Sequence, residues 1–156
     1  MPPKTNAARL LEQAGIAHQL IAYTFDEADM GAAHVAESLG EPLEQVFKTL
    51  VLKGDKTGYF TCVIPGGYEL NLKLAARASG NKNCDLIPLK DLLPLTGYIR
   101  GGCSPVGMKK RFPTYLHESG LLYDFIYVSA GQRGLQLKIA PQDLLKATQG
   151  VAAAIV

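Results

Sequence analysis

Apolar residues recur along this chain at two different periods, and the changes of period mark its elements. In residues 5–14, Leu10, Leu11 and Ala14 fall at helical spacing, with Thr5 or Asn6 as N-cap and Gly15 as stop, which predicts a first helix. Residues 19–25 (QLIAYTF) are rich in β-formers and run into Asp26 and Glu27, predicting a strand that leads to a polar loop. Residues 31–39 return to helical spacing and are closed by Gly40, and Pro42 suits one further turn. Two apolar runs, VFKTLVLK at 46–53 and GYFTCVI at 58–64, flank Gly54-Asp55-Lys56-Thr57 and predict a β-hairpin.

Asn71 is placed to cap a helix over LKLAARAS that stops at Gly80. Residues 84–87 predict a short strand, and 89–93 a helical turn bracketed by Pro88 and Pro94. Three more strands are expected at 114–116, 125–129 and 135–139, after which Pro141 opens a last helix, PQDLLKAT, ended by Gly150. The closing VAAAIV carries no predicted element. Strands and helices mix without regular βαβ alternation, which argues against a doubly wound parallel sheet. The pattern predicts an α+β fold on a mixed, strongly curved sheet or barrel, with residues 1–156 forming a single domain.

Composition narrows the function classes. Apolar residues at 47% and charged residues at 19% describe a globular chain and not a disordered tail. A net charge of +2 is too small for wrapping a long duplex, so any nucleic-acid contact should be local and involve few phosphates. Cys62, Cys84 and Cys103 are widely spaced with no C-x-x-C pair, which points to reduced thiols and to neither a zinc site nor a redox pair. No apolar run is long enough for a membrane span, and the expected compartment is the cytoplasm.

Two features carry candidate chemistry. Lys48 is a charge set inside the first strand of the hairpin. At a sheet edge it would be a solvated guard against aggregation; pointing inward, its ammonium would need a ligand carbonyl, carboxylate or phosphate. The stretch TGYIRGGCSPVGMKKR at 96–111 sets Gly101, Gly102 and Pro105 in a stiff turn ahead of Lys109, Lys110 and Arg111. It reads either as bare peptide N–H groups holding an anionic or ester-bearing ligand, or as a turn followed by a solvated basic surface. A second Gly-rich basic loop spans 130–134. Lys73 and Arg77 lie four apart on one helix face, where they could steer a phosphate backbone or be merely solvated.

VFKTLVL, ELNLKLAA, TGYIRGGCSPVGMKKR and IYVSAGQRGLQLKIAPQDL follow the order and nearly the spacing found in the YbaK/EbsC-type cysteinyl-tRNA deacylases, which the chain resembles over almost its whole length. That family is related to the editing domain of bacterial prolyl-tRNA synthetases, with which it shares the Gly-x-x-x-Pro turn supplied here by Gly101 and Pro105. The resemblance implies a six- or seven-stranded mixed barrel flanked by helices. It implies a trans-acting enzyme that hydrolyses Cys mischarged on proline tRNA, without metal or cofactor. Its partners would be the acceptor end of the tRNA and prolyl-tRNA synthetase.

By the same resemblance Lys48 matches the family's essential lysine, flanked by Phe47 and Thr49 as substrate-binding residues. Gly101 and Gly102 join it in catalysis, with Ser104 and Pro105 completing the cradle. Tyr23 and Asp26 match a T-Y-x-H-D segment whose His is here Phe25, and Ser129 with Ala130 and Gly131 closes the pocket. The tRNA contacts would come from Lys73, Arg77, Lys109, Lys110, Arg111 and Arg133. An aminoacyl ester is already activated, so geometry and oxyanion stabilisation suffice. The nucleophile in this family is the substrate's own thiol. The three protein thiols are then structural, and His18, His34 and His117 are ordinary surface or helix residues. Three departures stand out: Ala130 for Gly, which would narrow the pocket, and Gln132 and Leu74 for cations, which would weaken contact with tRNA. Removal of Ala or Ser from tRNA, or binding of aminoacyl-tRNA without hydrolysis, are the alternative functions.

Overall fold

The computed structural model describes residues 4–156. Helix α1 (Asn6–Gln13) begins where its cap predicts, because Thr5 is extended and its hydroxyl accepts the Ala8 N–H at 3.2 Å. Strand β1 (Gln19–Ala22) ends before Phe25. Tyr23 still donates to the Gly134 carbonyl at 3.0 Å, and beyond it the chain leaves the sheet as a loop. Helix α2 (Ala32–Leu39) closes on left-handed Gly40, and Pro42 precedes the single 3-10 turn Leu43–Gln45.

The predicted hairpin forms from β2 (Phe47–Gly54) and β3 (Gly58–Pro65), which pair antiparallel from Phe47–Pro65 to Gly54–Gly58. Helix α3 (Leu72–Ser79) is capped by the Asn71 side chain, which accepts the Leu74 N–H at 3.1 Å. Strand β4 (Cys84–Leu86) adds to the free edge of β2. A 3-10 turn then leads into α4 (Leu92–Thr96), which contains Pro94 instead of stopping at it. The proline lies in the first turn, where a missing N–H removes no helical hydrogen bond.

β5 (Thr114–His117), β6 (Ile126–Ser129) and β7 (Leu135–Ile139) follow, then α5 (Pro141–Thr148) and β8 (Val151–Ala153). α5 ends differently from the expectation: Gln149, not Gly150, takes the left-handed conformation at φ 53°. Gly150 is required for a different reason, since a Cβ there would lie 2.7 Å from the Thr114 carbonyl oxygen.

The strands form a sheet of order β4-β2-β3-β5-β8 and a second of order β1-β7-β6. β3–β5 and β5–β8 are parallel and the other ladders antiparallel. The two sheets meet at the parallel bridge Val46–Tyr127. The mixed α+β architecture is as expected, with β8 extending it beyond the seven strands foreseen. One core packs Phe47, Val63, Leu116, Ile126, Val128, Leu135, Leu137 and Ile139 between the sheets. Another sets Leu52, Phe60, Cys62 and Ile64 against Ala75 and Ala76 of α3. Burying such side chains contributes roughly 1.5–3 kcal/mol each.

His117 corrects the surface assignment. It is buried at the end of β5, and its Nδ1 accepts the Ile155 N–H at 3.2 Å. Ile155 is itself fully buried, and its carbonyl accepts the N–H of Asn71, so the imidazole ties the C-terminal segment to the N-cap of α3. Among the described residues no helix is long and apolar enough to cross a membrane.

Candidate functional site

The seam where β2 and β6 diverge opens into a cavity of about 500 Å³. Two residues beyond the Val46–Tyr127 bridge, the parallel strands bring Lys48 and Ser129 to corresponding positions on one face. Ser129 in turn pairs with Gln136 of β7. Lys48, Ser129 and Gln136 all line the cavity. The loop after β1 and the start of α2 close one side with Tyr23, Met30 and Ala32; Leu86, Ile87, Leu89 and Leu92 close another. Lys48 is half-buried and forms no ion pair among the described residues. A partly desolvated ammonium with no counter-charge favours an anionic or strongly dipolar ligand.

The glycine turn supplies the facing wall. Gly101 and Cys103 line the cavity, and Gly101 is held at φ 85°. A Cβ on Gly101 would lie 3.2 Å from Met30 Sδ and 3.4 Å from Arg133 Nε. Gly102 points away: a Cβ there would lie 3.2 Å from the Gln132 Cα, and its N–H is already donated to the Ile99 carbonyl at 3.0 Å. Its place is in holding the turn against the second Gly-rich loop. Ser104 is fully buried and its Oγ accepts the Val106 N–H at 3.2 Å, while Pro105 faces a separate depression.

Tyr98 braces the turn. Its hydroxyl donates to the Val106 carbonyl at 2.6 Å, and its ring would lie 3.0 Å from a Cβ on Gly131, which sits at φ 106°. Burial pushes the Tyr98 phenol up to about 12, so it remains a donor. Burial also raises the Cys103 thiol to about 12, against a lowering hydrogen bond from Thr96. A thiol so protonated is a poor nucleophile although it lines the cavity. Cys62 is likewise raised to about 12 by burial.

Of the expected site, Lys48, Gly101, Tyr23, Phe47, Thr49 and Ser129 therefore share one cavity. Asp26 does not join them; it is exposed and its Oδ1 accepts the Ala28 N–H at 2.9 Å, shaping the loop. Ala130 does not narrow the cavity. Its backbone is not left-handed and its methyl is buried in the core, where glycine's freedom is unnecessary. Of the expected tRNA contacts, Lys73 and Arg77 stand exposed on α3, outside the cavity lining. Lys110 and Arg111 line the separate depression beside α1, with Lys109 exposed next to them. Arg133 is engaged within the fold, with Nε donating to the Arg100 carbonyl at 2.9 Å and its guanidinium 5.4 Å from the Phe25 ring.

Sequence reasoning missed Arg100, exposed at the cavity mouth, and Gln136 in its wall. The alternation L-Q-L-K-I in β7 was the available signal, since it turns Gln136 away from the face of Leu135, Leu137 and Ile139. Thr49 Oγ1 and Gln136 Oε1 are buried with no hydrogen-bond partner among the described residues. Each such atom costs the fold about 1–3 kcal/mol unless a ligand pairs with it. No group of three His, Cys, Asp or Glu side chains among the described residues is placed to hold a metal.

Comparison with known proteins matches residues 26–147 to the family model described as aminoacyl-tRNA editing domain. An Enterococcus faecalis protein with the provisional name Cys-tRNA(Pro)/Cys-tRNA(Cys) deacylase EbsC is 52% identical over 147 residues, covering 94% of this chain and 90% of that one. A proline–tRNA ligase of Fervidobacterium nodosum is 35% identical over 78 residues, 50% of this chain and 13% of the ligase. Among solved structures, one described as a candidate trans-editing enzyme for prolyl tRNA synthetase superposes with a TM-score of 0.85 at 26% identity, covering 99% of this chain and 98% of the other.

Proposed function

The chain belongs to the aminoacyl-tRNA editing domain family, and from that premise we propose that it hydrolyses the ester of Cys mischarged on proline tRNA. The observation that carries this reading is the cavity that unites Gly101 of the glycine turn with a half-buried Lys48 that forms no ion pair among the described residues. An aminoacyl ester needs no strong base to be cleaved, only a held geometry and a stabilised oxyanion. Lys48 would fix the aminoacyl-adenosine and offset charge at the ester. Free peptide N–H groups of the 101–105 turn would receive the carbonyl oxygen as it becomes negative.

The nucleophile is the thiol of the bound Cys. Its sulfur attacks the carbonyl carbon of its own ester, the carbon–oxygen bond to the terminal ribose breaks, and the thiol proton ends on the ribose oxygen. The acyl group leaves as a thiolactone that water later opens. The high pKa of Cys103 supports this assignment, because the protein's own thiol in the cavity is held in its unreactive form. Walls built from Val35, Val46, Leu50, Val51, Ile87 and Leu92 reject an isosteric hydroxyl poorly. Selection of Cys over Ser would then come from the reactivity of the thiol.

Arg100, exposed in the cavity lining, would meet a phosphate of the acceptor end, and prolyl-tRNA synthetase, as the source of the error, would deliver the substrate in the cytoplasm. Deacylation of Cys-, Ala- and Ser-charged proline tRNA tests the reading. Hydrolysis of Cys-tRNA alone is expected, and hydrolysis of the Ala and Ser forms without the Cys form would overturn it.

A further inference from the structure

Gln136 is a polar side chain of the cavity wall to which ester cleavage by Lys48 and the glycine turn gives no task. It is only 5% exposed, yet its Oε1 has no hydrogen-bond partner among the described residues. β7 buries Leu135, Leu137 and Ile139 in the core, so its pleat turns Gln136 to the opposite face, beside Ser129 on the cavity wall. Thr49 Oγ1, in the lining of the same cavity, is also buried and has no hydrogen-bond partner among the described residues. A polar group kept in that condition needs a ligand donor, because an apolar side chain of the same shape would otherwise serve the fold better.

The chemistry of the lining identifies the donor. Lys48 and Arg100 are its cations, and among the described residues it includes no carboxylate. Ester, ribose and phosphate oxygens are served by those cations and by peptide N–H groups. The α-amino group, which donates whether or not it is protonated, is served by none of them.

We propose that Gln136 Oε1, with Thr49 Oγ1 as a second acceptor, receives the α-amino group of the aminoacyl ester and makes Gln136 a specificity-determining residue. This rests on the ester-hydrolase reading of the site and deepens it. The site then selects a free amino acid ester and spares tRNA whose amino group is blocked, as in formylated or peptidyl forms.

The test compares single-turnover cleavage of Cys-tRNA(Pro) with cleavage of its desamino counterpart, mercaptopropionyl-tRNA(Pro), by wild type and Gln136→Met. The Met variant keeps the side-chain volume and removes the acceptor. It should slow the Cys substrate about tenfold to a hundredfold while changing the desamino substrate by less than about twofold. Its Tm should be no lower than that of wild type, because an unpaired buried oxygen has been removed; a lower Tm would mark Gln136 as a structural residue. Equal slowing of both substrates, or of neither, overturns the inference while leaving the hydrolase reading standing. A folded wild type that cleaves no aminoacyl-tRNA would remove that reading and the inference together.

Discussion

Arg133 donates from Nε to the carbonyl oxygen of Arg100 at 2.9 Å, fastening the second Gly-rich loop to the residue just before Gly101. The same guanidinium lies 5.4 Å from the Phe25 ring and 3.8 Å from Glu27 Oε1, so one side chain joins both glycine loops to the loop after β1. The ion pair adds little, since Glu27 is exposed. The bond to Arg100 and the packing against Gly101 carry the connection.

Arg133→Met should therefore reduce kcat by on the order of tenfold to a hundredfold through a displaced turn, with a smaller change in KM for tRNA. Single-turnover and steady-state deacylation assays separate the two. A rise in KM with kcat unchanged would make Arg133 a tRNA contact instead of a clasp.

Gly131 is held at φ 106° against the Tyr98 ring, whereas Gly134, at φ 85°, has nothing closer than 3.6 Å to an added Cβ. Gly131→Ala should destabilise by about 1–3 kcal/mol more than an unstrained substitution. At roughly 2–4 °C per kcal/mol for a chain of this size, that is a drop of several degrees in Tm. Gly134→Ala incurs the backbone strain alone, so a larger loss at Gly131 isolates the contact with Tyr98.

Much of this architecture was legible in the chain. The hairpin and helices α1, α2, α3 and α5 follow from apolar period, caps and stops, all of them local signals. What was not legible depends on distant partners. β8 is a strand only because Tyr115 to His117 offer it a parallel edge, and an Ala-rich segment does not announce that pairing. Lys48 was recognisable as a misplaced charge, but its alignment with Ser129 and Gln136 comes from the Val46–Tyr127 bridge between the two sheets. The methyl of Ala130 appeared to threaten the pocket because a Gly-rich loop suggests positive φ throughout. Only Gly131 and Gly134 of residues 130–134 adopt it.

His117 gives the fold a pH dependence. Burial is the largest cause lowering its pKa beneath 6.5, so the unfolded chain takes up the proton more readily than the folded one. The stabilisation is fully present above about pH 6.5 and is lost as pH falls through the folded value. Protonation also forfeits the acceptor for the Ile155 N–H. Melting curves between about pH 7 and 5 should show wild type losing Tm faster than His117→Asn, which retains an acceptor but does not titrate. Parallel curves would contradict this.

The account turns on Lys48 acting from the cavity wall upon a bound ester. The most direct test is single-turnover deacylation of Cys-tRNA(Pro) by wild type and Lys48→Met, with Tm and tRNA binding measured on the same samples. The variant should remain folded and bind tRNA, yet cleave about a hundredfold to a thousandfold more slowly. A folded Lys48→Met protein that cleaves at the wild-type rate would contradict it.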